Sequence, residues 1–230
     1  MNQGTLRLSG AKIVQSFGTQ PERLFAICGS VLAFLGLVYL AGAAPAQTGR
    51  SLEQLIAGLR KGGYVVYVRH AQTDRTRDDA AQPDLRDCAT QRLLSHEGEQ
   101  QADDLGRAVR ALRIPVGEVF CSPYCRAVET ARRAFPQQKR TEVAELGRLA
   151  RMPKDKLSAC DARLRELLRH EPPPTENTFV VGHYENLAAV GGPNIDEAGW
   201  AIFLPDKGNF RLVGRLNPDQ WQEMARAAKD

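Results

Sequence analysis

The sequence contains no low-complexity tract, no internal repeat and no cluster of lysines and arginines interleaved with aromatic residues. The lack of repeats excludes solenoids and other arrays, and a composition of 43% hydrophobic and 25% charged residues is that of a globular protein. The formal net charge of +4 does not indicate nucleic-acid binding, although it suits a small anionic ligand. The chain of 230 residues is long enough for one ordinary domain and an extension.

Histidine is scarce, with four residues in the chain. No metal-ligand spacing joins His96 and His170, so we interpret both as structural residues of helices. We therefore expect neither a metal ion nor another cofactor. The other two, His70 and His183, each directly follow a short apolar segment, which is where a buried strand would end.

Only one long apolar run is present, from Leu24 to Leu40, and it continues through small residues to Ala44. It is long enough to span a bilayer and has no polar face. Three basic residues precede it against one acidic residue, namely Arg7, Lys12 and Arg23 against Glu22. The positive-inside rule then predicts that the N-terminus stays in the cytoplasm and that the rest of the chain is exported.

The segment Ala44-Pro45-Ala46 resembles the A-x-A site at which signal peptides are cleaved. Two interpretations stay open: residues 1–46 are a cleaved signal peptide, or they are an uncleaved signal anchor. In both, residues 47–230 form the functional domain outside the cytoplasm, either in the periplasm or held at the membrane by the anchor. We expect no other contact with a membrane.

The cysteines of an exported domain are informative, because disulfides persist in oxidising compartments. The domain contains four of them, which allow three pairings: Cys88, Cys121, Cys125 and Cys160. The sequence alone leaves the connectivity open, including the alternative of buried free thiols. We favour Cys88 with Cys125, since that bond would tether the long polar segment after His70 to the motif around Arg126.

Short apolar segments alternate with amphipathic ones along residues 47–230. Runs of β-branched and aromatic residues indicate strands, and apolar residues spaced three or four apart indicate helices. Strands are predicted at 64–68, 117–121, 141–143, 178–182, 200–204 and 210–213, and helices at 51–60, from Ser95, after Ser122-Pro123, at 155–168 and at 219–228. This alternation predicts a three-layer α/β/α fold with a mostly parallel central sheet. The polar stretch 71–91 is too long for a plain connection and is expected to be a functional loop.

Three of the predicted strands end in groups that bind anions. Arg69-His70 follows the first strand, Ser122 leads from the second to Arg126, and His183 follows the strand at 178–182. Parallel strands place their carboxyl ends at one edge of a sheet, so these residues can converge. Two arginines and two histidines around one point suit a tetrahedral dianion, and the N-terminus of the helix beside Arg126 would add N–H donors.

The motifs at these strand ends are Arg69-His70-Ala71, Ser122-Pro123-Tyr124-Cys125-Arg126-Ala127-Val128-Glu129-Thr130-Ala131 and Val181-Gly182-His183. In this order and spacing they resemble the histidine phosphatase superfamily, which includes the phosphoglycerate mutases and the small phosphohistidine phosphatases. The resemblance covers the chain from Tyr64 onward and implies a phosphoglycerate mutase-like fold. Its compact spacing is closer to the small bacterial phosphatases than to the mutases, which carry larger insertions.

The resemblance implies phosphoryl transfer through a phosphohistidine. His70 would be the nucleophile, because a neutral imidazole nitrogen is nucleophilic near neutral pH. The substrate-binding residues that the same motifs imply are Arg69, Arg126, His183, Thr73 and Thr76. Of these, the two arginines and the histidine would also be catalytic, since they offset the charge that develops on the equatorial oxygens. Water would then hydrolyse the intermediate.

The general acid that protonates the leaving oxygen is left open by the motifs. In mutase-like members it is a Glu after the second motif, and Glu145 is the preferred candidate here, with Glu142 as the alternative. In acid-phosphatase members an Asp directly follows the second histidine, whereas in this chain Tyr184 stands there and Glu185 comes next. Some members lack the acid altogether.

The sequence therefore predicts a metal-independent phosphatase that hydrolyses a small phosphorylated substrate in the cell envelope. One alternative is an envelope protein that binds phosphorylated ligands and is catalytically weak. A phosphomutase is a further alternative, which the compact chain disfavours. Neither the natural substrate nor the oligomeric state follows from the sequence.

Overall fold

The computed structural model describes residues 50–228. The apolar run from Leu24 to Leu40 and the cleavage-like segment at 44–46 lie outside these residues, so the assignment of residues 1–46 stays a prediction. Within residues 50–228, none of the helices combines the length and the apolar character that crossing a bilayer requires.

A six-stranded sheet forms the centre of the described part of the chain. Its strands are β1 (Val65–Arg69), β2 (Val116–Cys121), β3 (Arg140–Glu142), β4 (Asn177–Gly182), β5 (Trp200–Asp206) and β6 (Asn209–Leu216). Their order across the sheet is β3-β2-β4-β1-β5-β6. The first four in this order are parallel, whereas β5 pairs antiparallel with β1 and β6 antiparallel with β5. The prediction of a mostly parallel sheet is confirmed.

Helices cover both faces of this sheet. They are α1 (Leu52–Leu59), α2 (His96–Ala111), α3 (Cys125–Ala134), α4 (Leu157–Arg169), α5 (Tyr184–Ala189) and α6 (Pro218–Ala227). Side chains of α1, α2, α3 and α6 enter the core on one face, and those of α4 and α5 enter the core on the other. The three-layer α/β/α prediction is confirmed. The sequence does not predict α5, because a helix of six residues is too short to show a helical period.

The central strands β1 and β4 explain the two most apolar runs of the domain. All six residues of β4 and the first four of β1 are buried. Side chains of β1 alternate between the two cores, with Val66 and Val68 in one and Val65 and Tyr67 in the other. A strand that is covered by helices on both faces must be apolar on both sides.

The segment 71–91 is a long loop with a short 3₁₀ turn at Cys88–Thr90. A disulfide joins Cys88 to Cys125, the first residue of α3, with the two Cα atoms 5.8 Å apart. The favoured pairing is therefore confirmed. The remaining cysteines within residues 50–228, Cys121 and Cys160, are buried free thiols.

The backbone after His70 passes directly over the first turn of α2. Ser95 caps α2 by accepting from the Gly98 N–H at 3.0 Å, and its own N–H donates to the Gln72 carbonyl at 3.1 Å. A side chain at position 98 would collide with that carbonyl. The Gln72 N–H in turn donates to Gln101 Oε1 at 2.9 Å. Glycine at position 98 thus allows the close approach that fixes the start of the loop.

Candidate active site

The carboxyl ends of β1, β2 and β4 meet at one edge of the sheet, because β4 lies between the other two. The His70 N–H donates to the Gly182 carbonyl at 3.0 Å, and the Ser122 N–H donates to the Val181 carbonyl at 2.9 Å. The imidazole rings of His70 and His183 stand edge to face, with their centroids 5.2 Å apart. The structure therefore brings together residues that the sequence places at separate strand ends.

His70 is buried, with 4% of its surface exposed. Its Nδ1 lies 2.9 Å from the Ala71 carbonyl oxygen. Because a carbonyl oxygen only accepts hydrogen bonds, Nδ1 carries the proton and Nε2 keeps the lone pair of the neutral ring. Burial, and then the charge of Arg126, lower the pKa of His70 to about 3. The imidazole is neutral and nucleophilic at neutral pH.

His183 is 2% exposed and is fixed by three hydrogen bonds. Its Nε2 lies 2.9 Å from Ser122 Oγ, its N–H donates to Asn186 Oδ1 at 3.3 Å, and its carbonyl accepts from the Tyr67 hydroxyl at 2.7 Å. Burial lowers the pKa of His183 well below its ordinary value, and the positive charges of Arg126, Arg148 and Arg69 act in the same direction. Like His70, it is neutral at pH 7.

Four arginines surround the two histidines. Burial is the largest cause of the lowered pKa of both histidines. The charges of Arg126, Arg69 and Arg92 lower the pKa of His70 further, and the charge of Arg148 lowers that of His183. The sequence motifs predict Arg69 and Arg126 but neither Arg92 nor Arg148. With 31 lysines and arginines in the chain, no motif distinguishes these two from the other basic residues. The one sequence feature that could have indicated Arg92 is its position just before the start of α2.

Three of these arginines keep an unused donor. Within residues 50–228, five buried side-chain nitrogen or oxygen atoms have no hydrogen-bond partner, and three of them are the Nε atoms of Arg69, Arg92 and Arg126. An unpaired buried donor costs roughly 1–3 kcal/mol, and more when the group is charged. An anion with several acceptor oxygens is the ligand that such a donor set suits.

Arg69 is anchored by the segment before β5. Its NH1 donates to the Ile195 carbonyl at 3.1 Å, and its NH2 lies 3.7 Å from Glu197 Oε1. The exposed ring of Tyr184 lies 5.4 Å from the guanidinium carbon, which is a cation–π contact. Tyr184, which stands where acid-phosphatase members have an Asp, therefore packs on an arginine of the site.

Arg126 is fully buried and forms an ion pair with Asp79, whose side chain is also fully buried. The distances are 3.0 Å from NH1 to Oδ1 and 3.4 Å from NH2 to Oδ2. The ring of Tyr124 lies 4.7 Å from the guanidinium carbon. Asp79 comes from the loop 71–91, and no pattern in the sequence distinguishes it from the other aspartates of that loop.

The two predicted threonines have different surroundings. Thr73 is 3% exposed, and its Oγ1 donates to Glu197 Oε1 at 3.3 Å, next to the carboxylate that faces Arg69. Thr76 is exposed, and its hydroxyl donates to Asp74 Oδ1 at 2.6 Å within a surface turn. The structure therefore places Thr73 beside the site and commits the Thr76 hydroxyl to a local bond. Substrate binding by either residue stays a prediction.

The two carboxyl groups after the second motif lie on the segment that follows α3. Glu145 is half-buried in the 3₁₀ turn Ala144–Leu146. The pKa of the Cys160 thiol in α4 is raised first by the burial of that thiol and second by the charge of Glu145. Glu142 is exposed at the end of β3 and lines, together with Arg126, a cavity of about 410 Å³. The choice of Glu145 as the general acid stays a prediction.

Two other carboxylates form ion pairs with arginines of the site. Glu185, the third candidate acid, has its Oε1 3.3 Å from Arg148 Nε. Glu197 lies 3.7 Å from Arg69 and 3.4 Å from Arg75. It belongs to no predicted motif, and only the chain path into β5 brings it to Arg69.

The arrangement has two kinds of group that phosphoryl transfer uses. Neutral His70 offers a nucleophilic nitrogen, and buried arginines offer N–H donors to nonbridging oxygens. The described part of the chain contains no group of three or more His, Cys, Asp or Glu residues placed to hold a metal ion.

Comparison with solved structures finds chains similar to this one. The protein histidine phosphatase SixA complexed with tungstate is 15% identical, with a TM-score of 0.51 over 68% of this chain and 97% of its own. Phosphoserine phosphatase from Entamoeba histolytica, in complex with 3-phosphoglyceric acid, is 11% identical, with a TM-score of 0.49 over 69% and 98%. The mycobacterial glucosyl-3-phosphoglycerate phosphatase bound to VO3 is 20% identical, with a TM-score of 0.48 over 66% and 97%. At these identities the likeness concerns the fold alone.

No curated protein matches the sequence. A family model does match: that of the histidine phosphatase superfamily, branch 1, over residues 65–180. The matched range contains Arg69, His70 and Arg126 and ends shortly before His183, which the structure places against His70. Membership in this family supports a phosphatase activity. The fold, the residues at the strand ends and the matched range agree that the chain belongs to branch 1 of the histidine phosphatase superfamily.

Proposed function

We propose that this protein is a phosphatase that hydrolyses a small phosphomonoester through a phosphohistidine on His70. The observation that supports this most directly is the environment of His70. Its imidazole is buried and neutral, and it is surrounded by Arg69, Arg92 and Arg126, whose Nε atoms have no partner among the described residues. Such a site attracts a phosphoryl dianion and leaves a nitrogen lone pair for attack on phosphorus.

The reaction would proceed in two displacements. In the first, the lone pair of His70 Nε2 forms a bond to phosphorus, and the bond to the leaving oxygen breaks on the opposite side. The leaving oxygen takes a proton from a general acid. In the second, water attacks phosphorus and gives its proton to the carboxylate that the acid has become, and the N–P bond breaks. Neutral His70 and inorganic phosphate result, while arginine N–H groups offset the charge on the nonbridging oxygens.

For the general acid we propose Glu145, with Glu142 and Glu185 as alternatives. Each residue is replaced by Gln, and hydrolysis of an alkyl phosphate is compared with that of p-nitrophenyl phosphate. Loss of the acid should slow the alkyl ester by about 10²–10⁴-fold and the aryl ester much less, because only the alkoxide needs protonation in order to leave. If no variant shows this difference, none of these three residues is the general acid.

A direct test of the mechanism is to trap the intermediate. Wild-type protein incubated with a ³²P-labelled phosphomonoester and quenched in alkali should carry an acid-labile phosphohistidine, and His70→Ala should carry none. Equal hydrolysis of an aryl phosphate by His70→Ala and wild type would contradict the mechanism. A screen of phosphorylated metabolites against the wild type then identifies the substrate class.

We propose further that the enzyme acts in the cell envelope. Three features support this: the apolar run from Leu24 to Leu40, the A-x-A segment at 44–46, and the Cys88–Cys125 disulfide, a bond typical of oxidising compartments. N-terminal sequencing of the mature protein distinguishes the two forms, since a chain that begins at Gln47 has been cleaved and an intact Met1 indicates an anchor. Recovery of the protein in the cytosolic fraction would contradict both.

The second candidate function is phosphoryl-ligand binding with little turnover. It is favoured by the low exposure of His70 and His183, at 4% and 2%, which shields the nucleophile. Tight binding of inorganic phosphate, without a trapped phosphohistidine from any substrate in the screen, would support it over the phosphatase.

A further inference from the structure

The guanidinium of Arg126 is held by one carboxylate, that of Asp79, and by the Arg92 carbonyl, which accepts from NH1 at 3.2 Å. NH1 lies 3.0 Å from Asp79 Oδ1 and NH2 lies 3.4 Å from Oδ2, and neither side chain has exposed surface. A two-point contact of this kind fixes the plane of the guanidinium as well as its position. Asp79 therefore makes the contact with Arg126 that engages both terminal nitrogens, whereas the Arg92 carbonyl engages NH1 alone.

The same carboxylate accepts two further hydrogen bonds. Arg148 NH1 donates to Oδ2 of Asp79 at 2.9 Å, and the backbone N–H of Arg92 donates to Oδ1 at 2.9 Å. Burial alone would raise the pKa of Asp79, but the hydrogen bond from the Arg92 N–H, the charge of Arg126 and the hydrogen bond from Arg148 outweigh it, so this pKa lies below its ordinary value. Asp79 is ionised at neutral pH and links three of the four arginines that surround the histidines.

One donor of Arg126 is left over. Asp79 engages both terminal nitrogens, whereas Nε is buried and unpaired within residues 50–228. Arg69 repeats this pattern: NH1 donates to the Ile195 carbonyl, NH2 lies near Glu197, and Nε has no partner there. In both arginines the protein holds the terminal nitrogens and leaves the inner one for a ligand.

Asp79 is itself held by the loop that the disulfide fixes. The Ala80 N–H donates to the Thr90 carbonyl at 2.9 Å, which closes the loop next to Asp79. The Cys88–Cys125 bond joins that end of the loop to the residue before Arg126. Asp79 and Arg126 thus lie on two segments that the disulfide links covalently.

We propose, resting on the phosphatase function above, that Asp79 is a positioning residue: it holds the terminal nitrogens of Arg126 so that the Nε–H is left for an oxygen of the phosphoryl group. Asp79 acts through Arg126 and does not touch the substrate. A rival reading of the same contacts is that Asp79 competes with phosphate for Arg126. The two predict opposite signs, because removal of the carboxylate weakens phosphoryl binding in the first case and tightens it in the second.

The test compares Asp79→Asn with Asp84→Asn in the purified full-length protein. Asn keeps the size of the side chain and one acceptor oxygen but removes the charge. Asp84 is the matched control, because it lies in the same loop and pairs at 3.3 Å with Arg86, whose side chain is 92% exposed. Orthovanadate, a phosphoryl mimic, is the binding probe, and p-nitrophenyl phosphate gives kcat and KM.

We expect Asp79→Asn to weaken orthovanadate inhibition and to lower kcat, each by about 100-fold, which is the loss that a displacement of about 1 Å in a catalytic group produces. Asp84→Asn should change both by less than about twofold. If the role of Asp79 is purely structural, Asp79→Asn should lower the melting temperature and leave the orthovanadate affinity of the folded protein unchanged. Unchanged affinity therefore overturns the positioning role, and tighter affinity overturns it in favour of competition.

Asp79→Glu keeps the comparison valid if Asp79→Asn does not fold, since it retains the charge and moves the carboxylate by one methylene. Its orthovanadate affinity should fall by about tenfold, and an affinity equal to that of wild type overturns the proposal. Failure of the proposed phosphatase function is recognised in the wild type, which would then neither bind orthovanadate nor hydrolyse any phosphomonoester. That result overturns the positioning role as well, whereas failure of the positioning role alone leaves the wild type active.

Discussion

The strand ends and the loops around them contribute to this site in different ways. His70 and His183 directly follow β1 and β4, the two central strands, whose register pairs Arg69 with Gly182. Asp79 and Arg148 come from irregular segments and are held by side-chain ion pairs. The histidines are thus placed by the backbone ladder of the sheet, whereas the charges around them are placed by side chains and one disulfide.

This contrast distinguishes the residues that would carry out the chemistry from those that would affect only its rate. The strand ends supply His70, which we propose as the nucleophile, and the second histidine, His183. The loops supply carboxylates that pair with arginines, and binding and catalytic residues are often found on loops that a rigid scaffold positions. We therefore expect changes at strand ends to abolish chemistry and changes in loops to weaken it.

Replacement of the strand-end nucleophile should have the largest effect. His70→Ala is expected to lower kcat for an aryl phosphate by about 10⁴-fold or more, since loss of a nucleophile removes the covalent route. The control is His96→Ala, because His96 is exposed at the surface, where its Nε2 lies 3.0 Å from Gln100 Nε2. It should retain activity within about twofold. Residual activity of His70→Ala within tenfold of wild type would remove the distinction between strand ends and loops.

Arg126→Lys tests the junction of the two regions, since Arg126 stands in the motif after β2 and is held by a loop carboxylate. An ammonium group cannot make the two-point contact with Asp79, and it has no Nε–H. We expect kcat/KM to fall by about 10²–10³-fold, the usual loss for one oxyanion donor. Arg132→Lys is the matched control on the same helix, because Arg132 is 54% exposed and pairs with Glu129 at the surface. Equal effects of the two variants would exclude a special role for Arg126.

The disulfide tests the loop alone. Cys88→Ser opens a bond between residues 37 positions apart and should lower the free energy of unfolding by about 3–4 kcal/mol, as loop entropy in the unfolded chain requires. Urea denaturation measures this loss. A reducing agent should destabilise the wild type by the same amount and leave Cys88→Ser unchanged. If the reducing agent does not affect the wild type, the loop does not depend on the bond.

The smallest expected effect is the pH dependence of stability, which reports on the strand ends. The pKa of His70 is depressed in the folded state, so the unfolded chain binds the proton more readily, and this contribution to stability is present above about pH 6.5 and is lost as the pH falls towards 3. Between pH 7 and pH 5 it should remove about 2 kcal/mol. The free energy of unfolding, measured by urea denaturation, should therefore fall by about 2 kcal/mol less in His70→Asn than in the wild type between pH 7 and pH 5. Equal losses would mean that the folded protein protonates His70 as freely as the unfolded chain does.

Most of the fold could be predicted from the sequence, because buried parallel strands require continuous apolar runs. The run from Tyr64 to Val68 ends in Arg69 and His70, and the run at 178–182 ends in His183. Local pattern therefore located both histidines. The helix α5 could not be predicted in this way, since its six residues are shorter than two helical turns.

The partners of the arginines could not be predicted. Asp79 is one of several aspartates in a polar loop, and Arg148 is one of many basic residues. Their pairing across 69 positions at 2.9 Å depends on the loop path and on burial, neither of which leaves a periodic pattern. The favoured cysteine pairing, by contrast, came from the expected closeness of the loop to the second motif, and the structure confirms it.

The sequence by itself determined the α/β layering, the strand-end histidines and the family, because apolar periodicity and short motifs are local properties of the chain. Only the tertiary structure decided which charges surround those histidines. Ion pairs between distant loops form once the sheet has brought the loops to the same edge, and burial then sets their strength. For this protein the tertiary structure placed the buried carboxylate of Asp79, which belongs to no motif, against Arg126.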